Sequence, residues 1–124
     1  MTDLAQITVR DEDDVRVVAV VGEVDASNAE DVRTVALETL PNSARGLILD
    51  LRGLSYLDSA GIAFIFEAAE RLGLRGQRLA LVVAPGAEFR RALDVTEIDA
   101  VTPVLATLEA ARAHVLPSGD ERTG

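Results

Sequence analysis

Two segments rich in β-branched residues stand near the start of the chain and predict an antiparallel hairpin. Residues 7–10 and 15–21 are separated by Asp11-Glu12-Asp13-Asp14, an acidic run typical of a turn. Gly22 is expected to end the second strand. Four consecutive acids lack the spaced ligands of a calcium loop, so the run is interpreted as a solvated turn and not as a metal site.

Helical periodicity appears in two longer segments. Ser27-Asn28-Ala29-Glu30 matches the capping box, in which serine and glutamate each satisfy a free backbone N–H, and predicts a helix over residues 28–40. A second helix is predicted over residues 58–74, and its apolar positions define an inward stripe of Ile62, Ile65, Phe66, Ala69, Leu72 and Gly73. This phase places Phe64 on the outward face, whereas a different phase buries it.

The remaining pattern alternates strands with helices. Residues 47–51 and 79–83 are short apolar runs typical of strands buried on both faces of a parallel sheet. A short helix around Phe89 and Leu93, a last strand over residues 100–104 and a helix over residues 106–115 follow. The chain is therefore predicted to form one α/β domain over residues 1–116, with a mixed sheet of four to five strands opened by the hairpin and about four packed helices. The polar residues 117–124 are predicted to be a disordered tail.

Composition narrows the functions that such a domain can carry. No apolar stretch is long enough to span a bilayer and the N-terminus lacks the regions of a signal peptide, so a soluble, cytoplasmic protein is expected. The absence of cysteine removes disulfides, thiolate metal sites and thiol catalysis. A net charge of −9 opposes binding to nucleic acid or to an anionic membrane surface.

Catalytic and cofactor motifs are missing from the sequence. All twelve basic residues are arginines, so the lysine of a Walker-type phosphate loop is absent. Gly22-Glu23-Val24-Asp25 after the second strand does not match the spaced glycines of a dinucleotide fold. The one histidine, His114, stands near the end of the terminal helix, where it is more typical of a helix-end contact than of catalysis. We therefore expect no enzyme, no cofactor and no metal site.

Two motifs remain, and they carry a family resemblance. Gly22-Glu23-Val24-Asp25 follows the second strand, and Asp50-Leu51-Arg52 is followed after a short spacer by Asp58-Ser59-Ala60-Gly61-Ile62. Here the sequence resembles the anti-sigma factor antagonists of the STAS superfamily, which typically carry Gly-Glu-Leu-Asp and Asp-Ser-x-Gly-Leu at these places. The agreement in order and spacing covers about residues 7–115, with a weaker match at residues 89–96. The resemblance implies a STAS-like mixed sheet with helices packed on it.

The resemblance also implies a partner switch. In the family, the unphosphorylated antagonist binds an anti-sigma factor that has serine kinase activity, and this releases the sigma factor. Phosphorylation of the motif serine by that partner reverses binding, and a phosphatase restores it. Carried over to this chain, the phosphoacceptor is Ser59, and Asp25 matches the acidic residue that supports phosphotransfer. Asp58, Ala60 and Gly61 complete the partner-binding motif, and an outward Phe64 adds an aromatic anchor beside it.

The chemistry expected of Ser59 agrees with this role. A serine at a helix start can cap free N–H groups and stands at the positive end of the helix dipole. A phosphate adds about −1.5 to −2 charges, which a helix start tolerates and a buried interface beside Asp25 and Asp58 does not. Taken alone, Ser59 is more typical of a plain N-cap, Asp58 of a structural or recognition acid, and Asp25 of either a turn or a phosphotransfer residue. The surrounding motif is what favours the switch.

Two departures from the family pattern and two rival interpretations stay open. Ala60 replaces a second serine that is common in the family, and Glu97 stands where glycine is usual, so the loop after the third helix is expected to differ. One rival is a STAS protein that is never phosphorylated, such as a scaffold or a transporter accessory subunit. The other is a phospho-receiver domain with Asp50 as acceptor, which the absence of lysine disfavours.

Overall fold

A six-stranded mixed sheet organises the molecule, with its strands in the order β1-β2-β3-β5-β6 and β4 paired with β2. The computed structural model describes residues 4–116. The strands are β1 (Ala5–Glu12), β2 (Val15–Val24), β3 (Gly46–Asp50), β4 (Leu54–Leu57), β5 (Arg78–Val82) and β6 (Val104–Leu105). The helices are α1 (Ala29–Arg33), α2 (Ser59–Leu74), α3 (Arg90–Thr96) and α4 (Leu108–Val115). These elements confirm the predicted α/β architecture.

The predicted hairpin forms, but its turn is shorter than the acidic run. The strands β1 and β2 pair antiparallel from Ala5 opposite Gly22 to Glu12 opposite Val15. Only Asp13 and Asp14 form the turn, with φ values of 54° and 66°. Two-residue hairpin turns of type I′ require positive φ at both central positions, and aspartate tolerates this conformation better than most residues. The acids at 11 and 12 belong to the strand.

Strand β2 is long enough to pair with two different neighbours on its parallel side. Its first half pairs with β3, from Val15 opposite Gly46 to Ala19 opposite Asp50. Its second half pairs with β4, and the register shifts at Gly22 before Val24 pairs with Leu57. Gly22 therefore does not end the strand as predicted. It has a φ of 115° and lies so close to the Leu4 carbonyl oxygen that a side chain could not be accommodated, which is why glycine is needed at this irregularity.

The core lies on both faces of the sheet and is almost wholly aliphatic. The larger cluster packs beneath α1, α2 and α3, and its centre is formed by fully buried side chains of Val18, Leu47, Leu49, Leu81 and Leu93. A smaller cluster on the opposite face packs against α4. None of the helices within residues 4–116 is both long and apolar enough to span a bilayer.

The inward face of α2 differs from the predicted stripe by about one residue. Its buried positions are Gly61, Phe64, Ile65, Ala68 and Leu72. The half-buried positions are Ile62, Phe66 and Ala69, and Gly73 is exposed. Apolar residues cover a wide arc of this helix, so its periodicity alone does not determine which part of the arc faces the sheet.

The first and last helical segments also differ from the prediction. Helix α1 is short and continues as a π-helical segment over Thr34–Glu38. The terminal helix begins at Leu108, after Thr107, whose hydroxyl accepts from the Ala110 N–H. The last strand is only β6, because Ile98–Ala100 form a 3₁₀ turn where the strand was expected to begin. The predicted tail at residues 117–124 lies outside the described residues.

The loop after α3 has the backbone shape that glycine favours. Glu97 ends this helix with φ 58° and ψ 36°, in the left-handed region. A non-glycine residue in this region costs roughly 1–2 kcal/mol, which explains why glycine is the usual residue at this kind of helix end. The departure at Glu97 therefore adds strain at this turn.

Candidate functional site

At the start of α2, Asp58 and Ser59 do not occupy the positions that were expected for them. Asp58 is the N-cap, and its carboxylate accepts from the Ala60 N–H at 2.9 Å and the Gly61 N–H at 3.2 Å. Ser59 is the first helical residue and is exposed. None of the side-chain hydrogen bonds within residues 4–116 involves the Ser59 hydroxyl. The expectation that Ser59 caps the helix is therefore wrong, because Asp58 already satisfies those N–H groups.

Asp25 lies in the loop between β2 and α1, in a turn closed by its own neighbours. Its carboxylate accepts from the Ser27 N–H at 2.8 Å and from the Ser27 hydroxyl. These bonds favour the ionised form, and the Ser27 hydroxyl is the main cause that lowers the pKa of Asp25 below its ordinary value. The carboxylate is therefore held ionised and in one orientation.

Asn28 locks the same loop in place of the predicted capping box. Its side-chain oxygen accepts from the Asp25 N–H at 2.9 Å, and its side-chain nitrogen donates to the Glu23 carbonyl at 2.9 Å. The Ser27 hydroxyl instead donates to the Asp25 carboxylate, so the predicted reciprocal bonds of Ser27 and Glu30 do not form. This role of Ser27 and Asn28 differs from the one that the sequence predicts. The signal for it was the run Asp25-Ala26-Ser27-Asn28, since short polar side chains commonly bond to nearby backbone in turns.

Pairing of β2 with β4 brings the two loops together. Val24 lies opposite Leu57, and the Asp58 N–H donates to the Val24 carbonyl at 3.2 Å. Because neighbouring strands lie about 4.8 Å apart, the residues that follow them, Asp25 and Asp58, emerge side by side. Ser59 is the next residue after this pair. The structure thus places Asp25, Asp58 and Ser59 at one end of the sheet.

The acids at this end of the sheet form no ion pair with the arginines that the structure describes. Among residues 4–116, neither Asp25 nor Asp58 takes part in a salt bridge. Both carboxylates instead accept hydrogen bonds from neutral groups. The surface around the Ser59 hydroxyl is therefore already negative, and a phosphate there would raise that charge further.

Ala60 and Gly61 complete the turn for different reasons. The Ala60 side chain is half-buried, and its N–H is one of the two that Asp58 caps. Gly61 is buried, and a Cβ at this position would collide with the Leu57 side chain and press on Val24. Glycine therefore lets α2 approach the ends of β2 and β4 closely.

Phe64 is not an exposed anchor. Only 7% of its surface is accessible, and it belongs to the large core cluster. The outward placement was wrong because α2 is rotated by about one residue relative to the predicted stripe. Phe64 therefore supports the site by packing α2 against the sheet and is too deeply buried to contact a partner.

Asp50 makes a structural ion pair. Its carboxylate accepts two hydrogen bonds from the Arg52 side chain, at 2.9 and 2.8 Å. Burial opposes ionisation of Asp50, but the bonds from Arg52 outweigh it, so the pKa is lowered. In the part of the chain that the structure describes, no three acidic or histidine side chains are grouped so that they could hold a metal ion. Asp50, the residue that would be the phosphoacceptor of a receiver domain, therefore has both carboxylate oxygens bonded to Arg52.

The class of protein follows from this fold and from comparison with known families. The STAS domain model matches residues 6–111, and the chain belongs to the STAS domain family. Apart from Ala5, the first residue of β1, the hairpin, the mixed sheet and the Asp58-Ser59-Ala60-Gly61 helix start lie inside the matched region.

Two mycobacterial relatives are named anti-sigma factor antagonists. The anti-sigma-F factor antagonist RsfB of Mycobacterium tuberculosis is 27% identical over 114 residues, which cover 91% of both chains. The crystal structure of an anti-sigma factor antagonist from Mycobacterium paratuberculosis superposes with a TM-score of 0.80 at 29% identity, covering 90% of this chain and 93% of that one. The Bacillus cell fate determinant SpoIIAA in its phosphorylated form has the same fold, with a TM-score of 0.68 at 20% identity over 89% of this chain and 99% of that one.

Proposed function

We propose that this STAS protein is an anti-sigma factor antagonist whose binding to a kinase-type anti-sigma factor is abolished when that partner phosphorylates Ser59. A phosphatase acting on phospho-Ser59 completes the cycle. The protein itself has no catalytic activity in this scheme, and the cycle runs in the cytoplasm, where ATP supplies the phosphoryl group. The names of the mycobacterial relatives support the antagonist role.

The single observation that carries the proposal is that Asp58 and Ser59 have separate roles at the start of α2. Asp58 caps α2, so the Ser59 hydroxyl is exposed at the first helical position and has no structural bond to lose. Phosphorylation can therefore change binding without unfolding the helix. A hydroxyl that capped the helix would instead put about 1 kcal/mol of stability at risk on modification.

The charge distribution explains why a phosphate would prevent binding. Asp25 and Asp58 flank Ser59 without an arginine partner among residues 4–116. Burying about −1.5 to −2 further charges against a partner would leave them unpaired and desolvated, which costs several kcal/mol. The unmodified hydroxyl has no such cost.

The experiment compares binding and phosphorylation in one set of variants. Each purified kinase-type anti-sigma factor of the source organism is titrated with the wild type, Ser59→Ala and Ser59→Asp by calorimetry. We expect the wild type and Ser59→Ala to bind, and Ser59→Asp to bind at least about a hundredfold more weakly, which corresponds to roughly 3 kcal/mol. Mass measurement after incubation with ATP should show one phosphoryl group on the wild type and none on Ser59→Ala.

Ser43→Asp is the matched control. Ser43 is an exposed serine in the connection before β3, at the end of the sheet opposite Ser59. The same substitution there should leave binding unchanged. A wild type that binds its partner but is never phosphorylated would contradict the switch and favour the scaffold interpretation.

A further inference from the structure

A groove of about 660 Å³ runs along the outer side of α2. It lies between this helix and the segment that precedes β6, and it is lined by Ala63, Phe66, Glu67, Ala69, Glu70 and Val101. A second depression of about 460 Å³ adjoins it and shares Ala69 and Val101. None of the candidate site residues discussed above lines this groove.

The groove lies on the face of α2 that carries Ser59. Seven residues separate Ser59 from Phe66, and at about 100° per residue they complete nearly two turns. Ala63 and Glu70 fall within about 40° of the same line. The rise of about 1.5 Å per residue puts Phe66 roughly 10 Å from Ser59 along the helix axis. A partner surface that covers Ser59 and extends along α2 therefore contacts this groove.

The surface of the groove is apolar and accessible. Val101 is 53% exposed although it is a large aliphatic residue. Ala63 is also exposed, and Phe66 is half-buried with its inner part packed on the core. The base of the groove is thus held rigidly by the fold, while the opposite wall is an aliphatic side chain left in contact with solvent. Such pockets are typical of sites that accept an apolar side chain.

The rim of the groove is acidic. The adjoining depression is also lined by Arg78 and His114, and the two acids at this edge are Glu70 and Asp99. Among residues 4–116, neither forms a salt bridge, whereas Glu67 pairs with Arg33 and lies near Arg71. An apolar base with unpaired acids at its rim complements an apolar side chain flanked by lysine or arginine.

We propose that this groove is the second half of the anti-sigma factor docking surface and binds a helix of that partner through one apolar side chain flanked by basic residues. This inference rests on the proposed function, because it concerns the same partner. A stable protein interface buries about 800 Å² on each side, which is a patch nearly 30 Å across. The residues around Ser59 cannot supply that area alone, and the groove is the apolar surface that continues from them on α2. Ser59 then controls the charge at one end of the surface, and the groove supplies the apolar contact at the other.

The test uses substitutions on two separate elements that line the groove. Ala63→Glu changes α2, and Val101→Glu changes the segment before β6. Each should weaken binding of the purified kinase-type anti-sigma factor at least about tenfold in calorimetry. Val95→Glu is the control, since Val95 is a valine on α3 that is 76% exposed and does not line the groove. It should change affinity less than about twofold. Urea denaturation of all variants shows that the fold is kept.

A charge-neutralising variant tests the basic flank of the partner. Glu70→Gln should slow association and make affinity less dependent on salt, because rim charges mainly steer encounter. Association rates at low and high salt, measured by surface plasmon resonance, give this comparison directly. Equal salt dependence in Glu70→Gln and the wild type would contradict the proposal that basic residues of the partner lie beside Glu70.

The outcomes separate this inference from the proposed function. If Ser59→Asp abolishes binding and Val101→Glu binds as well as the wild type, the proposal that the partner docks in the groove is overturned and the phosphorylation switch stands. If Val101→Glu weakens binding while Ser59→Asp does not, the groove stands and the switch is overturned. A folded wild type that binds none of the purified anti-sigma factors overturns both.

Discussion

The two ends of strand β2 are both acidic, but their acids are held in opposite ways. Near its start, the carboxylate of Asp11, which lies opposite on β1, accepts two hydrogen bonds from Arg16, at 2.9 and 3.1 Å. Arg16 is buried, and it also donates to the Thr39 hydroxyl at 2.6 Å. At the other end, Asp25 and Asp58 accept hydrogen bonds from the backbone and from a serine. Among the residues that the structure describes, a salt bridge with an arginine forms at the first end and not with Asp25 or Asp58 at the second.

This difference separates acids that hold the fold from acids that can take part in a signal. Where Arg16 pairs with Asp11, the charge is used to connect the hairpin with the π-helical segment after α1. Asp25 and Asp58 form no salt bridge within residues 4–116, so they are oriented by hydrogen bonds and their negative field extends into the solvent. In the proposed switch, a phosphate added beside Asp25 and Asp58 changes partner binding. A phosphate added beside the Arg16–Asp11 pair would have little effect on binding.

The largest expected effect comes from removing the cation at the compensated end. Arg16→Met keeps much of the side-chain volume but removes the donor to the Thr39 hydroxyl oxygen and to the Asp11 carboxylate. The Val35 carbonyl still accepts from the Thr39 hydroxyl. We expect the free energy of unfolding to fall by roughly 2–3 kcal/mol, measured by urea denaturation. Anti-sigma factor binding by the folded fraction should not change. A loss below about 0.5 kcal/mol would mean that the arginine acts as an ordinary surface charge and not as a structural link.

A smaller effect is expected from the helix cap at the uncompensated end. Asp58→Ala removes the acceptor for the Ala60 and Gly61 N–H groups and should cost about 1 kcal/mol in the free energy of unfolding. Asp58→Asn keeps a capping oxygen, so we expect stability near that of the wild type. Thermal unfolding of the three proteins separates the cap from the charge. Equal losses in both variants would show that the charge, and not the hydrogen bonds, stabilises this helix start.

The smallest effect concerns acid pH. Hydrogen bonding from Arg16 lowers the pKa of Asp11, and hydrogen bonding from Ser27 lowers the pKa of Asp25. A carboxyl whose pKa is lower in the folded state stabilises the fold at neutral pH, and this stability is lost as the pH falls from about 5 through its folded-state pKa. Asp11→Asn and Asp25→Asn should each flatten the acid side of the stability curve, measured by denaturation between pH 5 and pH 2.

Salt distinguishes the two carboxyls in that experiment. The Asp11 contribution includes an ion pair and should shrink when salt is added, whereas the Asp25 contribution depends on neutral donors and should change little. The same salt response in both variants would contradict the distinction between the two ends of β2.

Local sequence signals were sufficient for much of the fold. The hairpin, the two buried strands and the start of α2 were predicted because turn residues and apolar runs act over a few neighbouring positions. Strand β4 was missed because four residues carry too little periodicity, and it exists because β2 extends beyond β3 and offers Val24 to Leu57 for pairing. The capping role of Asp58 was missed because either of two adjacent polar residues can cap a helix.

The sequence by itself determined the class of fold and the motif that contains Ser59, because both are written in short patterns of residue type and spacing. Only the tertiary structure decided which face of α2 is buried, that Phe64 belongs to the core, and that Asp25 and Asp58 form no salt bridge among the described residues. The reason is that a helix with apolar residues over most of its circumference takes its rotation from what packs on it. Ion pairing, likewise, depends on residues far apart in sequence, such as Arg33 and Glu67.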